Sequence, residues 1–213
     1  MLSGIPIMAV KVSVLLKPAK FLKMRKRAFI FFASPGGGKD TQTTLLRNYF
    51  EDFQIPFLYV GTGEEIRKIE KTNYTVNLLN KTITEGKLAP DFLAESIVIN
   101  AMMHGFKKEM NLVLNGFPRN TDQAEKLLEI TGFYSIKPSV IFIKVSEEEA
   151  IRRIILRPES RSDDNSESIK NRFEIFNNEN VCLINYFKRH FHLIEIDGNG
   201  TPEEIHKKIL ESL

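Results

Sequence analysis

Arg27 to Leu46 reads RAFIFFASPGGGKDTQTTLL. Ala28-Phe29-Ile30-Phe31-Phe32 is a short apolar run, the pattern of a buried strand, and Ser34-Pro35-Gly36-Gly37-Gly38 is a tight turn behind it. Lys39-Asp40-Thr41-Gln42-Thr43-Thr44-Leu45-Leu46 then opens a helix. Strand, glycine turn, lysine and helix start together build a cradle for a polyphosphate. Glycines let backbone N–H groups face the anion, the helix start adds partial positive charge, and Lys39 neutralises terminal phosphates. Three glycines and a lysine alone also describe an ordinary turn between a core strand and a helix, so the rest of the chain has to decide.

Further strands are expected at Ile55–Val60, Asn111–Leu114, Ser139–Val145 and His192–Ile196. Between them lie a helical pattern after Gly61 that breaks near Asn73, then Thr82–Leu88 with Gly86 as its cap, Asp91–Met103 and Gln123–Ile130. Ser146–Leu156, Ser166 to about Phe187, and a last helix from Pro202 follow, with a polar bend over Pro158–Asn165. Strands and helices alternating at these lengths predict an α/β fold, a parallel sheet wrapped on both faces in three layers. Ligands of such sheets sit beyond the carboxyl ends of the strands. The unusual clusters after Phe32, Val60 and Leu114 fall there.

At 213 residues, with 42% hydrophobic and 27% charged, the chain can bury a sizeable core, most simply as one domain with small inserts. Cys182 is the single cysteine, which excludes a disulfide framework and a cysteine-rich zinc site. No apolar run reaches the roughly 18 residues that span a membrane. The net charge of +3 is carried by the front of the chain. Residues 1–23 hold Lys11, Lys17, Lys20 and Lys23 and no acid, leaving 26 of the 30 basic residues against 27 acidic ones. Nucleic-acid binding therefore has no support from the body of the protein. The basic stretch 1–23 is compatible with an organellar transit peptide, with an uncleaved membrane-surface segment, or with a translation start at Met24. A cytoplasmic protein is expected, or an organellar one if 1–23 is a genuine transit peptide.

Five segments carry a resemblance. The strict phosphate-loop pattern G-x-x-x-x-G-K-[ST] is missed at Ala33 and Asp40, whereas Ala33 to Gln42 is similar to G-x-P-G-x-G-K-G-T-Q. Thr62-Gly63-Glu64-Glu65-Ile66-Arg67 resembles S-T-G-D-L-L-R, and Gly86-Lys87-Leu88-Ala89-Pro90-Asp91 resembles G-x-L-V-P-D. Asn115-Gly116-Phe117-Pro118-Arg119 with Gln123-Ala124-Glu125 is similar to D-G-F-P-R…Q-A-E. Arg161-Ser162-Asp163-Asp164, with Arg172 beyond it, is similar to R-x-D-D…R. In consistent order from Ala28 to the C-terminus, these are the motifs of the short-lid adenylate kinase-like nucleoside monophosphate kinases.

The resemblance implies a phosphate-loop α/β/α fold over residues 24–213, with an acceptor-binding helical insert at about 61–89 and a short lid at about 156–164. It implies transfer of the γ-phosphoryl group of ATP to a nucleoside monophosphate, with magnesium as the cofactor of ATP and a monomeric enzyme with no stable membrane association. Pro35, Gly36, Gly37, Gly38, Lys39, Asp40 and Thr41 would surround the ATP phosphates, and Arg153 and Arg157 would meet ATP at the lid. Thr62, Gly63, Arg67, Lys87, Leu88, Ala89, Gly116, Phe117, Arg119 and Gln123 would hold the acceptor. Arg161 and Arg172 would clamp the transferring group between the two, positioned by Asp163 and Asp164. Lys39, Arg119, Arg161 and Arg172 are the catalytic candidates, while Thr41 and Asn115 would meet magnesium through water. Such chemistry is mostly positioning and charge neutralisation, which is why converging arginines serve it. Thr62 and Gln123 follow the pattern of adenylate-specific members, so AMP is the expected acceptor.

Arg152 and Arg189 read as solvated surface charges, and His104, His190, His192 and His206 as structural. Only Pro158-Glu159-Ser160 separate Arg157 from Arg161, too few for a zinc knuckle. So short a lid predicts some leakage of ATP to water. Two positions depart from the pattern. Asp40 stands for a glycine beside the ATP phosphates. At ~6 Å and an effective dielectric of about 20, its repulsion is roughly 3 kcal/mol per unit charge, so it is expected to point away. Asn115 stands for an aspartate, which predicts weaker magnesium affinity and a slower rate. These departures keep two alternatives open: a kinase for UMP, CMP or another monophosphate, and a catalytically weak nucleotide-binding module.

Overall fold

Side chains alternate across the central strand, Ala28, Ile30 and Phe32 to one face and Phe29, Phe31 and Ala33 to the other, and all six are buried. Only a strand covered on both sides can be apolar at every position. In the computed structural model, which describes residues 26–68, 74–84, 87–156 and 166–213, this strand is β1 (Arg27–Phe32). It is joined by β2 (Phe57–Gly61), β3 (Asn111–Asn115), β4 (Lys137–Lys144) and β5 (His192–Asp197). All pairings are parallel, in the order β2-β3-β1-β4-β5.

Helices fill the crossovers. They are α1 (Lys39–Asp52), α2 (Thr62–Lys68), α3 (Tyr74–Thr84), α4 (Asp91–Gly105) and α5 (Thr121–Phe133), then α6 (Glu147–Ile155), α7 (Ser166–His190) and α8 (Pro202–Ser212). On one face of the sheet Ile30, Leu112, Leu114 and Val140 pack with Val98 of α4, Leu127 of α5 and Phe187 of α7. On the other, Phe29, Val113 and Ile141 pack with Leu46 and Phe50 of α1 and Ile209 of α8. Each such side chain, fully withdrawn from water, contributes about 1.5–3 kcal/mol. The expected three-layer α/β fold is the one observed.

Differences lie at element ends. The second strand begins at Phe57 and not Ile55, because the Ile55 N–H turns back to the Phe50 carbonyl (2.8 Å) and closes α1. Pro56, without an N–H, then separates the two. The helix expected over Thr82–Leu88 starts earlier, at Tyr74, and does not continue through Lys87, whose N–H bonds the Thr82 carbonyl. Pro138 lies within β4 where its missing donor is harmless. The Lys137 N–H donates to the Lys26 carbonyl just before β1 (3.1 Å), so position 138 points the other way, and pairing with β5 starts only at Ser139. The basic front stretch, the break near Asn73 and the polar bend lie outside the described residues. Among the described residues, no helix is long and apolar enough to cross a membrane.

Candidate active site

The chain leaves β1 toward the α1 face and leaves β3 toward the α5 face. Adjacent strands whose exits diverge open a crevice at their carboxyl ends, which is where open α/β sheets bind ligands. A cavity of about 530 Å³ occupies it, floored by Pro35-Gly36-Gly37-Gly38 and the first turn of α1. Gly36 has φ +72°, and a Cβ there would come within 2.2 Å of the Ala150 carbonyl oxygen. The loop is thus seated directly against α6. Lys39 Nζ folds over the loop and donates to the carbonyls of Ala33 (3.0 Å) and Ser34 (3.3 Å).

Walls rise from this floor on four elements. The β3 exit supplies Asn115, Gly116 and Arg119, after a cis Phe117–Pro118 peptide. Gly116 has φ +82°, and a Cβ would lie 2.9 Å from the Thr62 hydroxyl, which instead donates to the Gly116 carbonyl at 2.9 Å. Arg119 Nε donates to the same carbonyl (2.9 Å). From α2 come Gly63, Glu64 and Arg67; from α6, Glu149, Arg152 and Arg153, with Leu156 just past its end; and from α7, Arg172. Lys39, Arg67, Arg119, Arg152, Arg153 and Arg172 face three carboxylates, Asp40, Glu64 and Glu149. The cavity is therefore cationic in formal balance.

Asp40 does not turn away to bulk water as expected. Its Oδ1 accepts from Asn115 Nδ2 at 2.8 Å, across the crevice between α1 and β3. Asn115 Nδ2 also lies 3.5 Å from the Tyr59 hydroxyl, which donates to Glu64 Oε1. Burial and the neighbouring Glu64 carboxylate push the Tyr59 phenol up to about 12, so it stays a donor at neutral pH. Glu149 accepts from Arg152 (2.7 and 2.8 Å) and Arg153 (2.8 Å), which hold its carboxyl down at about 2.

Thr62, Phe117 and Gln123 stand buried behind the cavity wall and not on it. Gln123 Oε1 accepts from the Arg119 N–H (2.8 Å), and its Nε2 donates to Asp91 Oδ1 (2.7 Å). It thus braces the turn that presents Arg119. Lys87, Leu88 and Ala89 precede α4 and lie away from this cavity. Arg157, Arg161, Asp163 and Asp164 lie outside the described residues. Arg152, expected as a surface charge, stands at the cavity edge paired with Glu149. Sequence reasoning also missed Tyr59, Glu64 and Glu149. For Glu149 the signal was present, since it precedes Arg152 by three residues and Arg153 by four on one helix face.

Asp40, Thr41 and Asn115 offer a carboxylate, a hydroxyl and an amide to the cavity, hard oxygen donors of the kind magnesium takes. Among the described residues no group of three or more His, Cys, Asp or Glu gathers as an all-protein cage, which magnesium carried by a nucleotide does not need.

Comparison with known proteins gives one consistent result. A family model described as adenylate kinase matches residues 31–192. An adenylate kinase of Leptospira biflexa serovar Patoc is 33% identical over 191 residues, covering 88% of this chain and 100% of its own. One from Thermus thermophilus is 32% identical over 193 residues (88% of this chain, 97% of its own). Another from Encephalitozoon cuniculi is 29% identical over 191 residues (89% and 99%).

Proposed function

The chain belongs to the adenylate kinase family, a phosphotransferase lineage using ATP and a nucleoside monophosphate, and from that premise we propose that it converts MgATP and AMP into two ADP. One observation carries the reading: six cationic side chains, from four helices and the turn after β3, converge on a single cavity above a glycine loop. Two nucleotides brought phosphate to phosphate need such neutralisation, and the protein supplies little covalent chemistry beyond it. AMP as acceptor is supported by the names of the relatives and by Thr62 and Gln123, which follow the adenylate pattern.

In this reading the loop N–H groups from Gly36 to Lys39 and the Lys39 ammonium receive the ATP phosphates. Arg153, Arg152 and Leu156 flank the bound ATP. Arg67 and Arg119 hold the acceptor phosphate by charge-assisted hydrogen bonds, and Arg172 reaches the space between the two phosphates. The acceptor oxygen attacks the γ-phosphorus as the bond to the ADP oxygen breaks, and the phosphoryl group passes in line. Magnesium bound with ATP offsets charge on the β- and γ-phosphates. Thr41, Asn115 and Asp40 are the residues that would meet its hydration shell. We assign about 61–89 to acceptor binding and about 156–164 to a closing lid. We take the enzyme to act as a monomer. A single cysteine and water-borne substrates fit the cytoplasm.

The test is transfer from MgATP to AMP, CMP, UMP, GMP and dAMP, with Lys39→Met as the control. Preferred transfer to AMP, lost in the control, is expected. Transfer to a pyrimidine nucleotide would remove the AMP assignment, and no transfer to any acceptor would remove the kinase assignment.

A further inference from the structure

A carboxylate in the first turn of a phosphate-binding helix is a liability. Asp40 follows Lys39 directly, is exposed on the cavity wall, and would face the same phosphates that the loop receives. Like charge at that range opposes binding unless a cation lies between. The side chain is not left to swing clear. Asn115 Nδ2 donates to its Oδ1 at 2.8 Å and fixes it toward the exit of β3. The fold dictates this meeting: Phe31 pairs with Asn115 in the parallel ladder, so the exit of β3 lies beside the exit of β1 that leads into α1. An amide is also the side chain of aspartate's size that can donate at this position. A second carboxylate at residue 115 would stand at hydrogen-bonding distance from the first with no proton between them. Because Nδ2 is committed to Asp40, Oδ1 of Asn115 remains able to accept from a water.

We propose that Asp40, held in place by Asn115, is the anionic anchor for the magnesium of bound MgATP. The charge is thereby carried by the phosphate-loop helix and not by the end of β3. Asp40 supplies the charge, and Asn115 acts on it as a positioning residue. This rests on the nucleotide reading of the cavity given above. It also revises the expectation that Asn115 leaves magnesium short of one charge: the two departures from the family pattern compensate each other. The Asp40–Asn115 pair keeps one negative charge, on the α1 side of the crevice and not on the β3 side.

The measurement is Mn²⁺ binding, by electron paramagnetic resonance, to the full chain saturated with a non-hydrolysable ATP analogue. Asp40→Gly, Asp40→Asn, Asn115→Asp and the double variant Asp40→Gly/Asn115→Asp are compared with the parent. Each Asp40 variant is expected to weaken Mn²⁺ binding by about tenfold or more. Metal-free binding of the analogue should hold or strengthen, because the repulsion is gone. The double variant is expected to recover to within about threefold of the parent, a coupling that independent sites do not show. Asp40→Asn keeps the size of the side chain, so a poorly folded glycine variant leaves the test intact. Unchanged or tighter Mn²⁺ binding in Asp40→Asn overturns the proposal. Phosphoryl transfer by the parent is scored separately. No transfer with Asp40-dependent metal binding removes the kinase reading and keeps the anchor, whereas transfer with Asp40-independent binding removes the anchor alone.

Discussion

Glu149 Oε1 accepts from Arg153 Nε at 2.8 Å, while Arg153 Nη2 donates to the Gly198 carbonyl at 2.9 Å. The guanidinium is therefore pinned from two sides, by its own helix and by the turn after β5. A group pinned in its working position loses less freedom when a ligand arrives.

Removing one of those pins gives the first prediction. Glu149→Ala should raise KM for ATP about threefold to tenfold and leave KM for AMP nearly unchanged, because Arg153 must then be ordered at binding. Arg153→Ala should cost more than Glu149→Ala. Initial rates with each substrate varied in turn would check both. An equal rise for AMP would show that Glu149 acts on the whole cavity. The carboxyl is held at about 2, so this pin should persist to mildly acidic pH.

The loop offers a steric test. A methyl group at Gly36 would meet the Ala150 carbonyl oxygen at 2.2 Å and Ile154 at 2.9 Å, with the backbone at φ +72°. Ala150 and Ile154 are buried against Phe173, so neither has room to move. Gly36→Ala should lower stability by about 2–4 kcal/mol, from left-handed strain and overpacking together, and should abolish ATP binding. Gly132 is the control, since nothing lies within 4 Å of a Cβ there. It sits in the last turn of α5, where Gly132→Ala should be neutral or slightly stabilising by about 0.5 kcal/mol. Thermal melts of the two variants would distinguish the cases.

The sheet was legible because turn residues punctuate it. Ser34 to Gly38, Gly116 to Pro118, and Asp197 to Thr201 each cut an apolar run cleanly from the helix that follows. The ends that slipped are those settled by single backbone hydrogen bonds, such as that from Ile55 to Phe50, which no periodicity encodes. Lys39, Arg67, Arg119, Arg153 and Arg172 were legible from the motifs, whereas Arg152, which also lines the cavity, reads in the sequence as a surface charge. The contact between Asp40 and Asn115 was not legible. It spans 75 positions, and it exists because β3 inserts between β1 and β2, a strand order that hydrophobic pattern does not specify. Gln123 was legible as a position, but its hydrogen bonds to Arg119 and Asp91 were not, because a motif does not say which way an amide faces.

Those contacts yield the third prediction. Gln123 is 1% exposed and is the hydrogen-bond partner of both the Arg119 N–H and Asp91. Gln123→Leu strands a buried donor and part of a carboxylate, so it should cost about 2–4 kcal/mol in unfolding free energy. If bracing Arg119 is its main role, kcat/KM falls by a similar factor for every acceptor nucleotide. A fall confined to AMP, with CMP and UMP untouched, would instead assign Gln123 to reading the acceptor base.

Acid should weaken the protein through His206. This ring is 2% exposed, and its Nδ1 lies 3.3 Å from Gln42 Oε1. Gln42 Nε2 is already donating to the Pro202 carbonyl (2.8 Å), so Oε1 is the acceptor and His206 is the neutral tautomer with its proton on Nδ1. Burial lowers its pKa from 6.5 to about 4. The sign follows directly. A depressed folded-state pKa means that the unfolded chain binds the proton first, so this contribution is intact above pH 6.5 and declines as pH falls toward 4. At pH 5 the loss relative to pH 7 should be about 2 kcal/mol, and it approaches a limit of roughly 3 kcal/mol below pH 4. Urea unfolding at pH 7, 6 and 5 measures it, with His206→Asn as the partner that can still donate to Gln42 but cannot titrate. The variant should be less stable at pH 7 yet lose little more on acidification. Equal pH slopes for parent and variant would mean that carboxylates elsewhere carry the acid response. Because Gln42 lies on α1 three residues from Lys39, and Pro202 opens α8 at the cavity edge, ATP affinity should weaken over the same pH window.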